Sequence, residues 1–174
     1  MDKKLAVISL GSNMGDRDDT LTAAVDRIAQ TPGIKLLAMS SLYETMPAIV
    51  EDQPLFRNAV ALVEIELPPL DFLHALQAIE TDFGRRREGP DYIRYGPRTL
   101  DLDVVDIEGI VSDDPELTLP HPQALFRDFV VTPLLEVSPH HVLANQKVVN
   151  HELVNCGDVI KSEVEEVKEP TDAG

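Results

Sequence analysis

The hydrophobic pattern opens with residues 5–10, Leu-Ala-Val-Ile-Ser-Leu, a run without regular polar alternation. Such a run predicts a central strand covered on both faces. Gly11-Ser12-Asn13-Met14-Gly15-Asp16 then turns the chain, and Asp18, Asp19 or Thr20 is placed to cap the following helix. Leu21, Ala24, Val25, Ile28 and Ala29 recur at the spacing of one helical face, which Pro32-Gly33 ends. Residues 34–43 predict a second strand and 45–54, with two prolines, a loop. Residues 56–67 predict a third strand with Ala59, Ala61, Val63 and Ile65 on one face and Glu64 and Glu66 at a solvated far end of the other. Pro68-Pro69 leads into a helix over 70–83, with Leu73, Leu76, Ile79 and Phe83 inward and Gly84 as its C-terminal cap.

Residues 85–97 have no apolar period and carry Gly and Pro, so they predict a loop. A loop of that length inside a compact domain points to function. Residues 99–107 predict a further strand, followed by a turn at Glu108-Gly109 and a short strand about 110–111. Asp113-Asp114-Pro115 predicts a turn, and 123–131 a helix that Pro133 limits or kinks. Residues 142–153 add a short strand or turn. The order βαββαβ predicts an α+β sandwich, a mostly antiparallel sheet with helices packed on it.

Length and composition narrow this picture. A chain of 174 residues that is 43% hydrophobic forms one domain with a real core, set at 1–156; residues 157–174 are acidic, weakly apolar and expected to fray. The net charge of −16 argues against nonspecific nucleic-acid binding and against an anionic membrane surface. The lone Cys156 makes no intrachain disulfide, and a Cys-based zinc site is not expected. No stretch approaches the ~20 apolar residues of a membrane span, and a cytoplasmic protein follows as the expectation.

Against that acidic background, five of the fifteen Lys and Arg residues fall between positions 85 and 98: Arg85, Arg86, Arg87, Arg94 and Arg98. Directly after them come Asp101 and Asp103, with Leu100, Leu102 and Val104 at the alternate positions. On a strand, the apolar set packs inward while both carboxylates project from one face. In a chain with 31 acids, one Asp-x-Asp is weak evidence alone. The neighbouring arginines and the apolar alternation shift the balance. Paired carboxylates repel unless a cation joins them, and oxygen ligands suit Mg²⁺. Forked, permanently charged arginines suit phosphate oxygens. Together they point to a polyphosphate bound with Mg²⁺.

The remaining candidates are less specific. His121, between Pro120 and Pro122, can aim a donor at a phosphate oxygen. Gln77 and Glu80 share a helix face beside the core stripe and feed the arginine loop. Phe56, Tyr95 and Phe129 can sandwich a flat heterocycle, although aromatics are more often core. His74 reads as structural, and His140, His141 and His151 receive no role. The Gly11–Gly15 stretch lacks the Lys-Ser/Thr of a P-loop.

Assembled in order, these motifs resemble the 6-hydroxymethyl-7,8-dihydropterin pyrophosphokinase family of folate biosynthesis. The matching pieces are Leu10-Gly11-Ser12-Asn13-Met14-Gly15-Asp16, Ser40-Ser41-Leu42-Tyr43-Glu44-Thr45, Asp52-Gln53-Pro54-Leu55-Phe56-Arg57-Asn58, Gln77-Ala78-Ile79-Glu80, Gly96-Pro97-Arg98-Thr99-Leu100-Asp101-Leu102-Asp103 and Leu117-Thr118-Leu119-Pro120-His121. The resemblance implies a ferredoxin-like fold and transfer of pyrophosphate from ATP to a pterin hydroxymethyl group, with AMP released. By it, Arg85, Arg87, Arg98, Asp101 and Asp103 are catalytic, and Asp101 and Asp103 hold two Mg²⁺ ions. Gln77, Glu80, Arg85, Arg87, Arg98, Thr118, His121 and Arg127 bind ATP, the co-substrate. Thr45, Met46, Ala48, Phe56, Asn58, Tyr95 and Phe129 form the pterin pocket. Tyr95 stands where the family commonly has Trp, and Met46 where it commonly has Pro. The resemblance implies a monomer with small-molecule substrates and neither nucleic acid nor membrane as partner. The rivals are another Mg²⁺-dependent nucleotide user, such as an Asp-x-Asp nucleotide-sugar transferase, and a ligand-binding module without catalysis.

Overall fold

The structure is a computed structural model that describes residues 2–13, 16–45, 56–84, 100–152 and 159–160. The first strand, β1 (Lys4–Ser12), lies at the centre of the sheet. Helix α1 (Arg17–Ala29) follows, capped by Asp16 rather than by Asp18, Asp19 or Thr20: the Asp16 carboxylate accepts the Asp19 N–H at 3.1 Å. An N-cap must stand just outside the helical backbone, and the helix starts at Arg17, ahead of all three expected caps. Leu21, Ala24, Val25 and Ile28 are buried as expected, whereas Ala29 at the end of the stripe is exposed.

The second predicted strand divides into β2 (Ile34–Met39) and β3 (Tyr43–Thr45). Both pair with β4 (Phe56–Ile65), β2 against its far half and β3 against its beginning. Ser40 holds the break: its N–H donates to Val60 O and its hydroxyl accepts from Val60 N, each at 2.9 Å. Helix α2 (Pro69–Asp82) ends at Gly84, whose φ of 90° is the left-handed conformation a C-terminal cap requires. Strand β5 (Asp101–Ile107) closes the sheet beside β1.

The resulting order is β5-β1-β4, with β2 and β3 sharing the far side of β4 and every pair antiparallel. This is the ferredoxin-like interleaving of two βαβ crossovers. A small hairpin follows, β6 (Ser112–Asp114) and β7 (Leu117–Leu119), where the pattern placed a strand at 110–111 and a turn at 113–115. Ile110 makes an isolated bridge to Ile107. The predicted helix over 123–131 is instead a short 3-10 turn (Ala124–Phe126), an extended Arg127, and helix α3 (Asp128–Val137). Pro133 lies within α3, where its missing N–H forfeits one helical bond. Burial of Val130, Val131 and Leu134 compensates for that loss.

Two cores sandwich the sheet. On one face α1 and α2 pack Leu21, Ile28, Phe72, Leu76 and Ile79 against Ile8, Leu10, Ala61, Val63, Leu100 and Leu102. On the other, α3 packs Val130, Val131 and Leu134 against Val7, Val60, Leu62 and Val105. Inside the stretch expected to fray, Val159–Ile160 form β8, paired with Glu44 and Thr45 of β3.

Candidate active site

Cross-strand neighbours share a face, and the register assembles the site row by row. Asp101 of β5 stands opposite Gly11 of β1, which stands opposite Asn58 of β4, which in turn pairs with Tyr43 of β3. The next row is Asp103, Ser9 and Val60. Because Val60 and Val105 belong to the α3-side core, Asp101, Asp103 and Asn58 all face α3. Both aspartates are half-buried and Asn58 is buried. Leu102 of the same strand and Leu100 just before it pack into the opposite core, as the alternation requires.

Gly11 was not singled out in the sequence beyond its motif, yet it forms the floor between these groups. A Cβ at position 11 would lie 3.3 Å from Asn58 Oδ1, close enough that the amide would have to shift by a few tenths of an ångström. Glycine therefore leaves the Asn58 amide its place beside β1 without crowding. The apolar run that stops at a glycine opposite two motif residues was the available signal.

His121 enters from the edge of β5, after a cis Leu119–Pro120 peptide. Its N–H donates to Val105 O at 2.8 Å, and its Nδ1 accepts from Gln123 N at 3.2 Å. The proton of the neutral ring is therefore assigned to Nε2, leaving an N–H donor. Burial first, and then the positive Arg127, lower the His121 pKa to about 4, against an upward pull from Asp101. At neutral pH the imidazole is an uncharged donor. Arg127 hydrogen-bonds the Gln123 side chain and lies over the Phe129 ring, 5.5 Å from its centroid. Phe129 opens α3 and is partly buried against the α3-side core; Phe56 begins β4, beside Asn58 in the sheet. Thr45 is the last residue of β3, paired with Phe56.

Three other candidates lie differently. Gln77 and Glu80 are on α2, across the sheet from the carboxylate face. Glu80 is buried and reaches the outer edge of β5, where its carboxylate accepts the Leu102 N–H at 2.6 Å. It thus holds the backbone between Asp101 and Asp103. Thr118, on β7, donates its hydroxyl to Asp114 O at 3.1 Å. Arg85, Arg87, Arg98, Tyr95, Met46 and Ala48 lie outside the described residues.

Two supporting contacts use motif residues to which no role was assigned, Ser41 and Tyr43 in one and Glu44 and Arg57 in the other. Glu136 of α3 accepts from Ser41 N, Ser41 Oγ and Tyr43 Oη at 2.9, 2.7 and 2.7 Å, binding α3 to the start of β3. Arg57, 8% exposed, has Nε 3.1 Å from Asp18 and Nη1 3.6 Å from Glu44. It draws the α1 N-terminus onto the sheet from the face opposite Asn58.

Among the described residues no cluster of three or more His, Cys, Asp or Glu side chains could hold a metal. Two carboxylates on one face fit Mg²⁺, which keeps waters and substrate phosphates for the rest of its shell. No helix of the described residues is long and apolar enough to cross a membrane.

Residues 7–139 match the family model described as 7,8-dihydro-6-hydroxymethylpterin-pyrophosphokinase. A 2-amino-4-hydroxy-6-hydroxymethyldihydropteridine pyrophosphokinase of Methylorubrum extorquens is 41% identical over 143 residues, 82% of this chain and 88% of that protein. The folic acid synthesis protein fol1 of Schizosaccharomyces pombe is 40% identical over 136 residues, 78% of this chain but 18% of that longer protein. A crystal structure of an HPPK-DHPS in complex with substrates superposes with a TM-score of 0.62 at 12% identity, covering 85% of this chain and 42% of that one. That likeness concerns the fold.

Proposed function

The chain belongs to the 7,8-dihydro-6-hydroxymethylpterin-pyrophosphokinase family, and on that premise we propose that it transfers pyrophosphate from ATP to 6-hydroxymethyl-7,8-dihydropterin in folate synthesis. The carrying observation is the single row Asp101, Gly11, Asn58, with Asp103 beside it on the same face. It supports reading the carboxylates as a site for a cation-bound polyphosphate beside an amide that can read a heterocycle.

The reaction is a displacement at the β-phosphorus of ATP. The pterin hydroxymethyl oxygen gives up its proton to solvent and forms the new P–O bond, and the bond to the α–β bridging oxygen breaks, releasing AMP. Asn58 hydrogen-bonds the pterin edge, and Phe56 and Phe129 stack on its faces with Thr45, Met46, Ala48 and Tyr95 around them. His121 donates a hydrogen bond from its Nε2–H to a phosphate oxygen, and Arg127 adds a cation beside it. Arg85, Arg87 and Arg98 bind the triphosphate; Gln77 and Thr118 help position ATP. Glu80 helps position ATP as well, and it also holds the carboxylate strand through Leu102 N. Asp101 and Asp103 would hold two Mg²⁺ ions, whose charge would stabilise the transferring group. Positioning supplies most of the remaining acceleration. The enzyme works as a cytoplasmic monomer.

Product analysis tests this directly. Incubated with ATP, Mg²⁺ and the pterin, the protein is expected to form AMP and pterin diphosphate in equal amounts, and none when the pterin is withheld or EDTA is added. ADP in place of AMP would refute pyrophosphoryl transfer.

A further inference from the structure

Asp106 lies three residues beyond Asp103 on β5 and belongs to none of the motifs above. It is 4% exposed, yet its carboxylate is fully engaged: Oδ2 lies 3.0 Å from His141 Nε2, and Oδ1 accepts the Ala144 N–H at 3.0 Å. His141 is 7% exposed, and its Nδ1 lies 3.1 Å from Ser138 Oγ. The loop after α3 is thereby fastened to β5 through one carboxylate.

The fastening point coincides with an irregularity in the sheet. Ile8 pairs with Val104, but Val7 pairs with Asp106, so Val105 is an extra residue bulged out of the ladder. Such a bulge redirects the local backbone and is stable only where its neighbours hold it. The carbonyl of that extra residue is the one that accepts the His121 N–H at 2.8 Å. A contact chain therefore runs from Ser138 and His141 through Asp106 and the Val105 bulge to His121.

We propose that Asp106 and His141 are positioning residues for pyrophosphoryl transfer, holding the Val105 bulge in the one geometry that sets His121 against the triphosphate. The proposal rests on the phosphate-side role of His121 given above. Packing alone does not account for the pair. Burying a carboxylate and an imidazole is unfavourable relative to burying apolar side chains of similar volume. What leucines lack is direction, since only the carboxylate ties two donors of the loop to one point of the strand. Neither residue touches substrate.

The test replaces the pair with apolar volume, D106L/H141L, in the full chain. The expected result is a folded protein whose kcat falls about tenfold or more and whose KM for ATP rises, with KM for the pterin kept within about twofold. D106N is expected to rescue kcat to within about threefold, because an amide accepts from Ala144 N and donates to His141 Nε2 in its other tautomer. Unchanged kcat and KM for ATP in D106L/H141L would overturn the proposal. If the double variant does not fold, His141→Phe decides in its place, with the same losses expected and unchanged kinetics overturning it. An activity-independent readout separates this proposal from the assigned reaction. Amide hydrogen exchange at His121 is expected to quicken about tenfold in the variant while that of Ala61, in the central sheet, stays put. Equal protection of His121 in both proteins overturns the positioning role even if AMP is formed, whereas a wild-type protein that forms no AMP refutes the assigned reaction and leaves the exchange result to stand by itself.

Discussion

His121 shows how position decides what a titratable side chain contributes. Its folded pKa is lowered to about 4 from the ordinary 6.5, mainly by burial and then by Arg127. The unfolded chain therefore binds a proton between those two values while the folded protein does not. Stability is present in full above pH 6.5 and is lost as pH falls toward 4. In nucleotide-free and metal-free protein, this one group is expected to remove about 2 kcal/mol between pH 7 and pH 5. Urea unfolding of the wild type and of His121→Gln at both pH values checks it: the variant is expected to lose that much less on acidification. Parallel losses in the two proteins would show that His121 titrates normally. The consequence for chemistry is a donor whose charge is constant across physiological pH, so His121 does not set the pH profile of turnover near neutrality.

At the scale of elements, β5 is the part on which the site depends, and it is an edge strand. Edges leave backbone groups without a neighbouring strand, and β5 finds them elsewhere: Glu80 accepts from Leu102 N, and His121 N donates to Val105 O. Glu80→Ala is expected to leave the buried Leu102 N–H unsatisfied, lowering stability by about 1–3 kcal/mol. Because Leu102 separates the two carboxylates, kcat is expected to fall by at least about tenfold as well. Glu80→Gln, whose carbonyl still accepts, is expected to recover most of the stability. Denaturant midpoints with steady-state rates settle it, and an alanine variant with wild-type kcat would mean that the strand keeps its geometry unaided. The alternation Leu100, Asp101, Leu102, Asp103, Val104 was legible in the sequence because period two is a local property of a strand. So were the stripes of α1 and α2 and the stretch of β4 that faces them. The long-range contacts were not legible. Which residue seals an edge depends on which strand ends the sheet, and nothing local marks Glu80 for that task beside the role at ATP expected of it. The helix over 123–131 failed for a related reason: Arg127 is extended so that α3 can start at Asp128 and bury Val130, Val131 and Leu134, a tertiary demand that overrides local pattern. The break between β2 and β3 likewise follows from Ser40 bonding Val60 rather than from any breaker residue.

Across the whole molecule, charge acts on stability and on binding with opposite signs. The chain carries −16 overall, with 31 acids against 15 Lys and Arg, while five of those cations crowd between positions 85 and 98. Self-repulsion of the excess acids opposes the compact state, and ATP must approach a protein of its own sign. Salt relieves the first effect by screening: the Debye length shrinks from roughly 20 Å at low salt to a few Å near 0.5 M. The attraction proposed between a triphosphate and the arginine segment with Arg127 would be screened too, so salt is expected to weaken it. The Arg57 contacts with Asp18 and Glu44 change least, since the guanidinium is only 8% exposed. Raising NaCl from about 20 mM to about 500 mM is therefore expected to increase stability by about 1 kcal/mol, a rise in Tm of about 2–4 °C for a domain of this size. The same change is expected to increase KM for MgATP several-fold while KM for the uncharged pterin stays level. Thermal melts and steady-state kinetics across one salt series measure both. A Tm that falls with salt would mean that attractive surface pairs outweigh the excess negative charge. A KM for MgATP that falls along with a rising Tm would mean that net repulsion, rather than the arginine segment, governs the nucleotide's approach.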